Sequence, residues 1–258
     1  MRFTRCIGID YSGADAPERP LPGIRVHEAI PGGGHRPVLA PDSTPARRRH
    51  WSRTTLHDWL QGVLAADEPV LVGIDHALGM PVEHLDRHRL RDWDAFLDDH
   101  ARHWPCDRAG VTVESCREGN ARLGDARAER RTERWTAGAK SVFLFDVQGS
   151  VAKSTHAGLP WIRRLRREGP AAGSWHAWPF DGFDPPPGRS VVAEVFPSLV
   201  RRRYERGTRT PDEQDACAVA RWLADAVHAG AIDRFLDPTV RGDERAIARR
   251  EGWILGVV

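Results

Sequence analysis

Three carboxylates stand in apolar runs, where an unpaired charge is expensive. Asp10 ends Cys6-Ile7-Gly8-Ile9 and is followed by Tyr11-Ser12-Gly13, and Asp75 ends Val70-Leu71-Val72-Gly73-Ile74 ahead of Leu78-Gly79-Met80-Pro81. Glu194 lies inside Val191-Val192-Ala193-Glu194-Val195. An ionised carboxylate isolated among apolar side chains costs several kcal/mol, so three such placements suggest a shared cation. A fourth acid comes from a helix. Thr210-Pro211-Asp212-Glu213 reads as a capping box with proline at the first helical position, which predicts a helix over 211–228. Its apolar stripe is Ala216, Val219, Ala220, Leu223 and Val227, and Asp215 sits at the edge of that stripe, towards the sheet and near the strand ends. Asp212 is an alternative to Asp215, although an acid in a helix's first turn is favoured by the macrodipole whatever its function.

Each residue also has an ordinary explanation. A single aspartate ending a strand is commonly a cap or turn former, and Glu194 has Arg201 and Arg202 nearby as salt-bridge partners. Lys153, Ser154 and Thr155 follow the Gly149-Ser150 turn, where side chains and turn amides could hold a phosphate, or where there is simply a loop. His84 and His88 stand one helical turn apart, as do His100 and His103; the spacing permits metal binding, but exposed histidines on a polar helix are commoner. Cys6, Cys106, Cys116 and Cys217 contain no C-x-x-C pair and read as free thiols, Cys6 in a strand and Cys217 in a helix.

The elements that would position these groups are legible in order. After the first strand, a second is expected over 23–30 and a short third over 37–40, with Pro31-Gly32-Gly33-Gly34 as the turn between them. A helix follows to about residue 66, with Leu56, Trp59, Leu60, Val63 and Leu64 on one face and Thr54 or Thr55 as cap. It leads directly into the Val70 strand. A helix between two near-continuous apolar strands argues for their parallel pairing. Beyond Pro81 the pattern becomes polar and helical. One or two helices are expected over 82–103, a charged helix over 120–136, an extended segment over 141–145 and a shorter helix over 159–167. The stretch 175–188, rich in Pro, Gly and aromatics, reads as a loop packed by its rings. The sheet resumes at Val191, and a small helix near 244–249 precedes the apolar close Trp253-Ile254-Leu255-Gly256-Val257.

At 258 residues, 40% hydrophobic and 29% charged, the chain is that of a globular protein with ample core, read as one domain carrying an inserted subregion over about 82–188. No apolar run approaches the roughly 18 residues of a membrane helix, and the N-terminus lacks signal-peptide zones; a cytoplasmic protein without membrane contact is expected. The net charge of +2 excludes little, but of 38 basic residues only Lys140 and Lys153 are lysine. That bias looks like a GC-rich coding sequence, so arginine abundance alone is no nucleic-acid footprint. Local clustering is the better signal. Basic residues outnumber acids between Arg102 and Arg167, a surplus that either meets phosphates or forms a solvated face.

Three leading strands, a helix, a parallel fourth strand, a later fifth and a final helix resemble the ribonuclease H-like fold. More specifically, the chain is similar to a bacterial and archaeal domain-of-unknown-function family of predicted ribonuclease H-like nucleases. The likeness rests on Gly8-Ile9-Asp10, Gly73-Ile74-Asp75 with Leu78-Gly79-Met80-Pro81, Gly149-Ser150-Val151, Trp178-Pro179-Phe180-Asp181, Glu194-Val195-Phe196-Pro197 and Asp212-Glu213-Gln214-Asp215-Ala216. His76 departs from the small residue expected after the second aspartate. The resemblance implies an α/β fold with a mixed five-stranded sheet flanked by helices and a long helical insertion between the fourth and fifth core strands. It also implies metal-dependent phosphodiester hydrolysis, in which two Mg2+ or Mn2+ ions about 4 Å apart activate water and stabilise the leaving oxygen. Asp10 would bridge the ions, Asp75 and Asp215 would complete the metal set, and Glu194 would be an inner ligand or outer partner. Ser12, Lys153, Ser154 and Thr155 would contact a nucleic acid or other phosphate-bearing substrate. Two alternatives stay open. One is a nucleic-acid-binding or scaffold protein without turnover; the other takes Asp10-Tyr11-Ser12-Gly13 as the phosphate loop of actin-like and sugar-kinase ATPases, although those need a second copy of the fold, and no Walker-type loop is present.

Overall fold

The computed structural model describes residues 2–41, 43 and 50–257. Its strands are β1 (Arg5–Asp10), β2 (Arg25–Ala29), β3 (His35–Val38), β4 (Val70–Ile74), β5 (Trp175–Trp178) and β6 (Ser190–Glu194). Its helices are α1 (Arg53–Ala65), α2 (Val82–Arg87), α3 (Trp93–His103), α4 (Val113–Arg117), α5 (Arg131–Trp135), α6 (Ala152–Arg167), α7 (Pro211–His228), α8 (Ile232–Leu236) and α9 (Gly242–Glu251). The strands form one mixed sheet in the order β3-β2-β1-β4-β6-β5. The first three are an antiparallel meander, and β1, β4, β6 and β5 run parallel. Pro37, which has no N–H for a ladder, is accommodated because β3 is an edge strand. Among the described residues, no helix is long and apolar enough to cross a membrane.

Each sheet face is covered, which is why the parallel strands are apolar throughout. Ile7, Ile9, Val72, Ile74 and Val192 point into a core shared with α1, α3 and α6. Cys6, Leu71, Val191, Ala193 and Val195 point to the other face, against α7 and Trp253. α7 approaches closest at Gly8, where an added β-carbon would stand 2.2 Å from the Ala216 carbonyl oxygen; any larger residue there would push the helix away from the strand that carries Asp10.

Several expectations are corrected. The sheet has six strands, because 175–178 is the edge strand β5 rather than a loop. Its two tryptophans are buried on opposite faces, Trp175 in one core and Trp178 in the other; the dense Pro and Gly punctuation that follows disguised it. Segment 120–136 is mostly irregular with short turns, helical only over α5, and 141–145 is a turn segment rather than extended. α6 begins at Ala152, seven residues before the expected start, and continues through Gly158 and Pro160, the two helix-breaking residue types that hid its first half. Ser52, not Thr54 or Thr55, caps α1, with Thr55 completing the capping box from inside. The helix over 211–228 starts and caps as its sequence predicts. His84 and His100 are buried, packed against Phe143 and Phe96 respectively, rather than displayed on a polar helix face.

Candidate functional site

The parallel register sets the geometry of the acids. Ile9 pairs with Ile74, and the Asp75 N–H donates to the Ile9 carbonyl at 2.9 Å, so Asp10 and Asp75 leave adjacent strands at the same level. Both have the parity of Gly8 and Gly73 and therefore face α7. The capped N-terminal half of α7 brings Asp212 and Asp215 to the same place. Three elements thus deliver four carboxylates to one corner, at the carboxyl ends of the parallel strands.

The crowding shows in their protonation. Burial pushes Asp10 well above the ordinary carboxylate range, and the charges of Asp75, Asp212 and Asp215 raise it further. Asp75 is pushed up to about 7, first by burial and then by Asp215 and Glu194, against the lowering effects of its hydrogen bond to Asp10 and of Arg201. Asp215 is raised by burial and by Asp212, and held back by Arg201, whose Nη1 lies 3.4 Å from Asp215 Oδ2. Asp10 and Asp75 share a hydrogen bond, so the pair holds a proton between its two carboxyl groups to higher pH than an ordinary carboxylate would.

The loops carrying these aspartates are held from behind. The buried Arg53 guanidinium donates to the carbonyls of Ser12, Ala14 and Asp15 at 3.1, 2.7 and 2.7 Å. Gly13 lies against the start of α6, where an added β-carbon would meet the Lys153 carbonyl at 2.0 Å. His76 is buried edge-on to Tyr11, with Nδ1 2.9 Å from the Ala77 carbonyl. These contacts fix the strand ends as rigid supports.

Glu194 is placed differently. Its register partner is Ile74, so it points to the face opposite Asp10 and Asp75. There the fully buried Arg130 donates to both its oxygens at 2.6 Å and to Glu133 at 2.9 Å. The salt-bridge partner is thus Arg130, not Arg201 or Arg202, and Arg201 pairs with Asp215 instead. Glu194 still acts on Asp75 as a nearby charge. A narrow cleft of about 30 Å3, room for a water or an ion, lies between Asp75, Glu194, Arg130, Lys140 and Gly149.

The residues expected to hold a phosphate divide. Ser12 is at the site: its hydroxyl and the Asp212 carboxylate lie 3.4 and 3.8 Å from where a β-carbon on Gly23 would stand. Thr155 is fully buried and accepts from the Ala77 N–H at 3.1 Å, which makes it a brace for the loop after Asp75. Ser154 donates to the Val151 carbonyl at 2.9 Å, and Lys153 is ion-paired with Glu114. An exposed run of cations instead stands at Arg201, Arg202 and Arg203, of which Arg201 lies beside Asp215. Sequence reading missed that cluster; its signal is the run of three arginines. Much of the insertion's basic surplus is spent internally, in Arg117–Asp146, Arg122–Asp99, Arg163–Asp98 and Arg166–Asp181 pairs.

Hard, oxygen-only donors suit Mg2+ or Mn2+, so the chemistry of the donor set fits such an ion. Its spacing is loose. Among the described residues, the group whose ligand atoms all lie within 4.8 Å of one another is His27, His35 and Cys217; the carboxylates spread wider, with Asp215 held to Arg201. Gathering them around an ion requires Asp215 to exchange Arg201 for the metal. No protein-family model, curated protein or solved structure matches this chain.

Proposed function

We propose that this protein is a metal-dependent phosphodiester hydrolase on a ribonuclease H-like fold. The observation that carries this reading is the gathering of Asp10, Asp75, Asp212 and Asp215 from β1, the end of β4 and α7, at a corner where burial and neighbouring carboxylates raise the proton affinity of Asp10, Asp75 and Asp215. An antiparallel meander followed by parallel β4 and β6, with α7 packed behind β1, supports the fold assignment; β5 is then an added edge strand. Placing four carboxylates together costs stability in the metal-free protein, and a divalent cation relieves that cost. When bound, Mg2+ or Mn2+ would supply activated water and charge neutralisation at the leaving oxygen.

The protein's own residues have distinct tasks in this scheme. Asp10, Asp75 and Asp215 would hold metal, with Asp212 as alternative or additional ligand, and Arg53 and Thr155 would keep the loops rigid. Glu194, fixed by Arg130, would tune Asp75 through its charge. Arg201, with Ser12, would meet substrate phosphates. The test is cleavage of single-stranded, duplex and structured DNA and RNA with Mn2+ or Mg2+, comparing parent and Asp10→Asn. Metal-dependent cleavage lost in the variant supports the proposal; metal binding without cleavage of any of these substrates favours the non-catalytic nucleic-acid-binding reading.

A further inference from the structure

A second cluster lies on the same sheet face, one strand outward from the aspartates. His27 pairs with Gly8 across β1 and β2, and Ala29 pairs with His35 across β2 and β3, so both histidines share the α7-facing parity of Gly8. Cys217 comes down on them from α7. The buried His27 places Nε2 2.9 Å from Nδ1 of the exposed His35, with ring centroids 5.1 Å apart. Ligand atoms of all three residues lie within 4.8 Å of one another. Three elements distant in sequence thus bring two imidazoles and a sulfur to one point.

We propose that His27, His35 and Cys217 form a binding site for a thiophilic divalent ion, with Zn2+ as its occupant. Two nitrogens and a sulfur are soft and borderline donors that favour Zn2+ over the hard ions suited to the carboxylates. In a tetrahedral site with metal–nitrogen bonds of about 2.0–2.1 Å, the two nitrogens stand roughly 3.3 Å apart. The observed 2.9 Å separation therefore needs to open by only a few tenths of an ångström, a shift that the exposed His35 ring on an edge strand can make. His27 and His35 also line a pocket of about 380 Å3 with Arg25, His50, Arg209 and Glu213. That opening gives the ion an entry path and leaves a fourth coordination position for solvent or a ligand, as in zinc sites that are open rather than closed. Opposing charge is present too. Arg209 and Arg221 act on both His27 and Cys217, and Arg221 hydrogen-bonds to Cys217. Binding requires Arg221 to release the sulfur and sets affinity below that of a fully neutral cage.

The test is competition for Zn2+ between the full chain and a chromophoric chelator, with Co2+ as the spectroscopic probe. One equivalent of Zn2+ is expected, and Co2+ should give tetrahedral ligand-field bands with a sulfur-to-metal charge-transfer band. His35→Ala, at an exposed position, should keep the metal-free melting temperature while weakening Zn2+ binding at least about 10–100-fold, and Cys217→Ala should abolish the charge-transfer band. Asp10→Asn should leave all of this unchanged, separating the site from the carboxylate corner. Absence of Zn2+ binding, a Co2+ spectrum without the sulfur band, or equal Zn2+ affinity in parent and His35→Ala would each overturn the proposal.

Discussion

Arg130, itself fully buried, grips both oxygens of Glu194 at 2.6 Å and also holds Glu133. One buried cation thus serves two buried carboxylates. Removing it alone strands two charges, so Arg130→Ala should destabilise the protein by about 3–5 kcal/mol. Arg130→Met combined with Glu194→Gln and Glu133→Gln should recover much of that loss. Urea unfolding of the three proteins checks this; an Arg130→Ala loss below 1 kcal/mol would mean that the pairing behaves like a surface contact.

Asp75 titrates near 7 because burial and like charges oppose its ionisation. A carboxyl whose folded value exceeds its unfolded value of about 3.9 binds more protons when folded. Its contribution is therefore neutral at acid pH and becomes increasingly destabilising as pH rises from about 4 to 7. Asp75→Asn should stabilise the metal-free protein at pH 8 by about 1–2 kcal/mol, partial exposure screening the rest, and should have no such effect at pH 4. Denaturation at the two pH values decides it. Equal effects at both would place the origin in packing rather than charge.

Metal must displace the proton held between Asp10 and Asp75. Mn2+ affinity should accordingly climb with pH through the range near 7 to which Asp75 is pushed up. Calorimetry in buffers of differing ionisation enthalpy should show proton release on binding below that range. A flat affinity profile from pH 5.5 to 8, roughly the interval spanning the raised carboxyl, contradicts the assignment of Asp75 as a ligand.

Arg201 pairs with Asp215 at 3.4 Å, and its side chain is 45% exposed. An exposed pair contributes only about 0.2–1 kcal/mol. Arg201→Ala should therefore tighten Mn2+ binding modestly, by about 1.4- to 5-fold, while weakening any binding of nucleic acid. Weaker metal binding in this variant would show that Arg201 orients Asp215 rather than competes for it.

Thr155 bears on the loop, not on substrate. Its hydroxyl accepts from the buried Ala77 N–H, so Thr155→Val leaves that donor unpaired and should cost about 1–3 kcal/mol. A stability loss without change in substrate KM supports the bracing role, whereas an undiminished melting temperature with a raised KM restores Thr155 as a phosphate contact.

The sequence announced the parts whose signals are local. The apolar runs ending on Asp10 and Asp75 and the box from Thr210 to Glu213 became strand ends and a helix start because burial and capping act over a few residues. Relationships set by register did not show. Glu194 lies in an apolar run like the other two, yet its register with Ile74 turns it to the opposite face and to Arg130, 64 residues away in sequence. The pairing of His27 with His35 depends on how β2 and β3 are offset, and Cys217 reads as an ordinary buried thiol until α7 is laid across them. In 152–167, Gly158 and Pro160 suggested a break that tertiary packing overrode, and the proline and glycine that follow 175–178 disguised that strand.

The central claim is that Asp10 and its neighbours form a carboxylate metal site. Titration of Mn2+ into the parent and into Asp10→Asn, followed by calorimetry with and without an oligonucleotide, tests it most directly. Saturable binding in the parent, alone or with oligonucleotide, and its loss in Asp10→Asn is the predicted result. Failure of the parent to bind Mn2+ under either condition, or equal binding by both proteins, would contradict it.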